Sequence, residues 1–439
     1  LTHYVIVGNS AAGIAAAEAI RSVTLNGDVT IVSDEPLHPY SRCLITEAIA
    51  KDSPVEEISF RPVDFYHRLN IQPLLGKIVD AIHPAEQKIR LDNGRELSYN
   101  ALLVATGARA VRADVPGQEL DGVFTLRTWS DAQRIARKAE KAERAVVIGG
   151  GLVSLKAAAA LKKRGVPRIT VVVKSGRLLS RQLDERGAAL IQQALEAEGI
   201  EFVWGQNPKA FKNKPGSSLI ETVLLEDGRE IKASLVIVGK GVIPNVELIK
   251  EAGGRVRQGA IVNKYQQTSL PGVYAAGDVG ETIDLLTGEM VPSGLWTLAV
   301  EQGKIAGFNM AGERCIYEGN LTRLNAAEFA GVPFVSVGLV EKEGTGWKHM
   351  SYFSSHKNSY RRLVFRENRL VGAILVGDIS QAGIYTALIR QGIEVSGHEE
   401  ELLYGEVSGY QFMGLAKLDQ NLSRMKVGHS TLEGGNKYA

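Results

Sequence analysis

The sequence predicts an α/β protein: two three-layer units, each with a parallel sheet between helices, followed by a small C-terminal α+β unit. Three observations predict it. A strand, glycine loop, helix and strand occupy residues 3–33, and the same unit recurs at 145–173, with its small loop residues displaced by 141 positions. Residues 360–391 then read as a hairpin followed by a helix. Composition permits this much structure: the 439 residues are 44% apolar and 23% charged, ordinary for globular protein and long enough for two or three domains.

In the first unit, residues 3–7 are a short buried-strand pattern, and 8–13 (Gly-Asn-Ser-Ala-Ala-Gly) are a loop of small residues. An alanine-rich helical run comes next at 14–22, then a second strand at 29–32 that ends at Ser33, Asp34 and Glu35. This is a βαβ unit, whose right-handed crossover sets the helix N-terminus against the C-terminal edge of the sheet. In the second unit, strand 145–148 passes through 149–154 (Gly-Gly-Gly-Leu-Val-Ser) into another alanine-rich helix and then strand 169–173. Gly8, Ser10 and Gly13 therefore match Gly149, Gly151 and Ser154. A small first residue permits the turn, a small second lets backbone approach a pyrophosphate, and a small third lets helix and strand pack closely. The helix N-terminus adds N–H donors. One such loop is weak evidence, whereas two at matched positions point firmly to two Rossmann-like dinucleotide sites.

The two second strands end in different chemistry. Asp34 and Glu35 can accept hydrogen bonds from an adenosine ribose, whereas Lys174, with Ser175 and Arg177 behind it, suits a 2′-phosphate. The expectation is FAD in the first site and NADPH, in preference to NADH, in the second. Lys174 as a plain solvated lysine at a strand end is the alternative.

Three segments connect the halves. Residues 101–107 form a strand ending in the small turn Ala105, Thr106, Gly107. Residues 270–278 form another, delivering Asp278 just after Gly277. A helix opens at Trp296 with its N-terminal amides available to a developing anion. The order inserts the second unit into the first.

Several classes are excluded. A formal net charge of +2 gives no reason to expect nucleic acid. No apolar run reaches the roughly 18 residues of a membrane span, and because the chain enters a strand pattern almost at once, no signal peptide is expected. The expectation is a cytoplasmic enzyme with no membrane span. Two cysteines, Cys43 and Cys315, cannot supply four thiolates to an iron–sulfur cluster or form a CxxC pair, and no metal site is expected. Electron chemistry must then use an organic cofactor, with one thiol at most assisting.

These motifs together resemble the FAD-dependent pyridine nucleotide–disulfide oxidoreductase superfamily. The stretches 8–13, 105–107, 149–154, 239–245, 277–278 and 296–303 match its motifs in order. The resemblance implies an FAD domain (1–110 and 244–318) interrupted by an NAD(P) domain (111–243), a C-terminal α+β interface domain at 319–410 and a tail at 411–439. It implies FAD and nicotinamide on opposite faces of one active site. FAD would be held by Gly8, Ser10, Ala11, Ala12 and Gly13, by Asp34 or Glu35 at the ribose, and by the Val79 backbone at the adenine. Ala105, Thr106, Gly107 and Gly277 complete that set, with Asp278 on the ribityl chain and Arg42, Trp296 and Thr297 about the flavin. Gly149, Gly151, Ser154, Lys174 and Arg177 would hold the nicotinamide nucleotide. Lys156 stands where the family often has a glutamate near the nicotinamide.

Residues 34–42 look like the branch containing rubredoxin reductases, oxygenase ferredoxin reductases and the flavin half of assimilatory nitrite reductase, and residues 360–378 also look like that nitrite reductase half. Such members pass electrons from NAD(P)H through FAD to a separate iron–sulfur protein. That function is the expectation here, with a ferredoxin- or rubredoxin-type partner and a monomer or homodimer. The basic stretch Lys348, His349, His356, Lys357, Arg361, Arg362 and Arg366 would steer an acidic carrier, a solvated hairpin face being the plainer reading. Two other functions stay open. Cys43, its pKa lowered by a helix N-terminus and Arg42, would serve a thiol-assisted NAD(P)H oxidase, peroxidase or coenzyme A disulfide reductase. Alternatively, the chain is a non-catalytic flavoprotein conduit whose second site no longer binds nicotinamide.

Overall fold

The computed structural model describes residues 2–406, so the expected tail at 411–439 lies outside the described residues. The first sheet is parallel, ordered Val273–Ala275, Ala101–Val104, His3–Val7, Asp28–Ser33, Ile71–Leu75. The second repeats the plan with Ile200–Trp204, Arg168–Val173, Arg144–Ile148, Leu235–Val238 and Val123–Thr125. In each, the strand before the glycine loop lies centrally, where strand order reverses and ligands of open α/β sheets bind. Each unit also carries a three-stranded antiparallel meander, Val79–His83 to Glu96–Ser98 in one and Pro208–Asn213 to Glu230–Lys232 in the other.

Central strands buried on both faces explain their unbroken apolar runs: Val5, Ile6, Leu102 and Leu103 are fully buried. The first helix is Ala11–Val23, starting three residues before the expected 14. Ser10 is already extended and serves as N-cap, and Ala11 and Ala12 are buried, so the apolar face begins inside the loop. That helix packs on Trp296–Met310 through small residues. A Cβ on Gly303 would stand 2.1 Å from the Ala12 carbonyl oxygen, and one on Gly307 2.4 Å from that of Ala16.

The second unit joins the first through two crossings. Ala108–Ala110 leaves and Val242–Pro244 returns, antiparallel and paired, with Val242 opposite Ala110 and Pro244 opposite Ala108. Beside them, the Thr106 hydroxyl donates to the Asn245 carbonyl and the Asn245 amide donates to the Thr106 carbonyl.

The C-terminal sheet is antiparallel, ordered Leu324–Phe329, Val332–Gly338, Arg369–Val376, Ser359–Arg366, Trp347–Ser354. One face packs on helices Ala382–Gln391 and Glu399–Tyr404. The other meets helix Glu185–Ala197, whose N-cap Asp184 accepts hydrogen bonds from Tyr360 (2.5 Å) and Arg362 (3.0 Å).

The basic stretch is not a continuous cationic face, which corrects the expectation. Arg361 is buried and donates to the Leu402 and Leu403 carbonyls near the end of helix Glu399–Tyr404. Arg362 is committed to Asp184 and Lys348 to Glu399. Alternation along a strand sends neighbouring residues to opposite faces, which a count of charges cannot register. No helix among the described residues is long and apolar enough to cross a membrane.

Candidate functional site

A cavity of 570 Å³ opens along the C-terminal edge of the first sheet and runs to the second unit and the C-terminal sheet. Three helices begin at its wall: at Ala11, at Leu152 and at Trp296. None has a side chain capping its first amides, and none has an acid in its first turn. The orphan N–H donors of each first turn therefore remain for anionic groups.

Most of the expected FAD residues line this cavity: Gly8, Ser10, Ala11, Ala12, Asp34, Glu35, Arg42, Val79, Ala105, Thr106, Gly107, Gly277, Asp278 and Trp296. Gly8 has φ +127, and a Cβ there would stand 2.2 Å from the Ala105 oxygen. Gly13 lies below the cavity, where a Cβ would be 1.9 Å from the Gly8 oxygen, so it serves packing rather than contact. Thr297 is exposed and does not line the cavity, leaving its first-turn amide as its contribution.

Along the floor runs a chain of charges. Glu35 accepts from Tyr40 and pairs with Arg42 at 2.5 Å. Arg42 donates to the Arg127 carbonyl, and the Arg127 guanidinium pairs with Asp278 at 2.7 Å while donating to the Ala108 carbonyl. Burial works against the charge on Arg42, but Tyr40 and Glu35 outweigh it and hold the guanidinium above its usual pKa. Arg127 was not foreseen. The nearby capping box of Thr128 and Asp131 marks a helix start, but nothing local links Arg127 to a carboxylate 151 positions away. Also unforeseen are Leu324, Asn325, Ala326 and Ala327, which bring the C-terminal sheet to the cavity wall.

Cys43 faces the cavity from the one-turn 3-10 helix Arg42–Leu44, just ahead of the short helix Glu47–Ala50. The side chain is exposed, yet the protein around it still strips water from the thiol and raises its pKa above the ordinary cysteine value; the Asp278 carboxylate adds to that, against a Ser41 hydrogen bond and Arg127. The expected lowering by Arg42 is thus overturned, because that guanidinium is spent on Glu35 and a carbonyl.

The second loop keeps the first loop's geometry with one change. Gly149 has φ +115, and a Cβ there would be 2.4 Å from the Gly239 oxygen, while Gly151 has open space. Ser154 is buried, and its hydroxyl donates to the Ile148 and Gly239 carbonyls (3.4 and 3.2 Å), so it ties helix to sheet and faces no ligand. Arg177 is turned inward onto the Leu183 and Ser180 carbonyls, while Lys174 is exposed at the strand end. Neither these two nor Gly149, Gly151 and Ser154 line the large cavity. Leu152, Val153 and Lys156 do.

Two Rossmann-like folds border one cavity, with uncapped helix starts and carboxylates at its rim, which is the plan of the flavin- and pyridine-nucleotide-binding oxidoreductases. The chain belongs to the pyridine nucleotide-disulphide oxidoreductase family, which matches residues 2–303, and residues 322–393 match the rubredoxin NAD+ reductase C-terminal domain. It is 29% identical over 411 residues to an assimilatory nitrate reductase electron transfer subunit of Bacillus subtilis, covering 93% of this chain and 52% of that one. It is 34% identical over 309 residues to a rubredoxin-NAD(+) reductase of Pseudomonas putida, covering 70% of this chain and 80% of that one. The fold superposes on the reductase of a covalent putidaredoxin reductase–putidaredoxin complex with a TM-score of 0.83 and 26% identity, covering 97% of this chain and 99% of that one. The chain spans about half the length of the nitrate reductase subunit it matches.

Proposed function

We propose that the protein passes electrons from NADH or NADPH, through bound FAD, to an iron–sulfur carrier protein of ferredoxin or rubredoxin type. The observation that carries this reading is the single cavity shared by two dinucleotide folds, with one thiol and no thiol pair on its wall. FAD supplies the chemistry, accepting two electrons from the nicotinamide and releasing them singly to the carrier.

The residues present fit that cofactor. Gly8 lets backbone reach the diphosphate, and the uncapped amides after Ser10 donate to it. Asp34, exposed at the strand end, and Glu35, braced by Tyr40 and Arg42, would accept hydrogen bonds from the ribose hydroxyls. Arg127 fixes the Asp278 carboxylate for the ribityl hydroxyls, and the Trp296 helix start offers positive potential to a reduced flavin. The nucleotide site belongs with Gly149 and Gly151. A preference for NADPH rests there on Lys174, since Arg177 is committed to backbone carbonyls. The domain limits given above and an iron–sulfur partner are part of the same proposal, supported by the rubredoxin reductase relative and the carrier seen in the putidaredoxin complex.

Anaerobic titration of the yellow holoprotein with NADPH and then NADH tests the reading. Stoichiometric bleaching by either nucleotide is expected, and re-oxidation should follow when an oxidised ferredoxin or rubredoxin is added. If only a reduced ferredoxin bleaches the flavin, the chain is instead the conduit whose second site binds no nicotinamide.

A thiol-assisted reaction is the second reading, favoured by the place of Cys43 on the cavity wall. Cys43→Ser is expected to keep nearly full turnover with the carrier. A folded-state pKa above the free value lowers the thiolate fraction at neutral pH, so iodoacetamide labelling should accelerate only above the usual cysteine range of about 8.5. Labelling that is already maximal at neutral pH, with turnover lost in the serine variant, would put the thiol into the mechanism.

A further inference from the structure

Helix Leu152–Lys163 breaks a rule of helix electrostatics at the point where it meets the cavity. Its first turn has no acid, and Lys156 stands close behind, adding a positive charge to the positive end of the helix. The side chain is half-buried and lines the cavity. Among the described residues its ammonium has no carboxylate and no hydrogen-bond acceptor. Its contact is the face of Phe329, whose ring centroid is 5.4 Å from Nζ. Phe329 is itself 1% exposed and stacks on Phe334 at 6.1 Å, so the C-terminal sheet holds the lysine in place. A half-buried cation costs free energy unless something compensates it, and a ring face compensates only in part. Violations of this kind, unpaired and aimed into a cavity, mark function more often than packing.

We propose that Lys156 biases the two-electron step forward by favouring the reduced flavin and disfavouring the oxidised nicotinamide. This rests on reading the cavity as the place where the two cofactors meet. Hydride transfer breaks the nicotinamide C4–H bond and forms an N–H bond at flavin N5, carrying two electrons. Charge therefore changes in opposite senses, the nicotinamide ring from neutral to cationic and the flavin from neutral to anionic. A cation on the wall of the cavity where the two rings would meet repels the first product and attracts the second, in a space whose low polarity strengthens both effects. Because its own partner is a ring and not a carboxylate, the charge is not neutralised locally. Lys156 thus acts as an electrostatic positioning residue, setting the driving force and the release of NAD(P)+ while exchanging no proton with substrate.

The test compares holoprotein carrying Lys156, K156R, K156M and K156E, with two equilibrium readouts: the flavin midpoint potential and the dissociation constant of NAD+ or NADP+ from the oxidised holoprotein. K156M keeps the apolar stem over Phe329 and loses only the charge. It should lose about tenfold in the equilibrium for flavin reduction, about 30 mV for two electrons, and bind the oxidised nucleotide about tenfold more tightly. K156E should exceed both changes, while K156R should restore values near those of the unaltered protein. A purely structural lysine would lower thermal stability and move neither readout, and flat values in K156M and K156E overturn the proposal. Should those variants fail to fold, K156Q removes the charge while keeping a polar side chain of similar length, and unchanged values of both readouts in it overturn the proposal. Absence of bleaching by either nucleotide in the unaltered protein removes the cofactor reading and this inference together. Normal bleaching with unresponsive variants removes the inference alone.

Discussion

Gly8→Ala is expected to yield protein without flavin. The position has φ +127, a region essentially confined to glycine, and the added Cβ would lie 2.2 Å from the Ala105 oxygen on the neighbouring strand's turn. Backbone strain of this kind costs about 1–3 kcal/mol, and forcing extra volume into a packed site costs about 1–3 kcal/mol more. Relief requires moving the loop away from the sheet, which takes its amides out of reach of the diphosphate. At about 1.4 kcal/mol per factor of ten, FAD affinity should fall at least about a hundredfold. The ratio of visible flavin to protein absorbance after gel filtration reports it, alongside a lower melting temperature. Gly151→Ala provides the control, because φ there is −90 and nothing lies within 4 Å of the new Cβ. That variant should load flavin normally. Equal flavin content in the two variants would mean that the first loop does not approach a phosphate.

Arg127→Met is expected to weaken flavin binding about tenfold or more. The guanidinium is the ion-pair partner of Asp278, and the two side chains are only 25% and 17% exposed. Removing one member of a pair buried to this extent leaves a carboxylate short of a partner. The cost is about 1–3 kcal/mol, below the figure for a fully buried pair because solvent screens part of it. The same side chain donates to the Ala108 carbonyl at the first crossing between the units, so the loss also loosens that connection. A double-mutant cycle with Asp278→Asn separates the two effects. Coupling of about 1 kcal/mol or more in FAD affinity is expected, since residues that share an ion pair are not additive. Strict additivity would show that Arg127 supports the crossing without orienting the carboxylate.

The sheets were legible because their signals are local. Runs such as 3–7 and 145–148 are apolar on both faces, and glycines placed at a strand–helix junction have few other uses. The C-terminal hairpin was legible for the same reason, from two apolar strands separated by Asn368 and its neighbours. Legibility failed where a side chain's partner is set by tertiary approach. Arg127 finds Asp278 across the insertion, and Arg361 turns inward to cap a helix that begins 38 residues later. Arg177 looks like a phosphate ligand in the sequence but satisfies the carbonyls of its own loop. Ser154 departs from glycine because its loop, unlike the first, leaves room for a Cβ and offers two carbonyls to the hydroxyl. Cys43 shows the reverse problem: a neighbouring arginine in sequence is no electrostatic neighbour once a carboxylate has claimed it.

The paired crossings have a consequence for how such a molecule can change over generations. Entry and exit of the inserted unit are adjacent antiparallel strands, with Ala110 opposite Val242, so their backbones stand about 5 Å apart. All five strands of the first sheet lie outside the insertion. The inserted piece is therefore a cassette with its two ends side by side, and the host sheet is threaded the same way on either side of it, while one apolar core runs across the boundary from Ile45 and Ile49 to Trp129 and Leu155. Any change in the inserted piece therefore meets the host at that core and at Arg127, the charged stitch to Asp278.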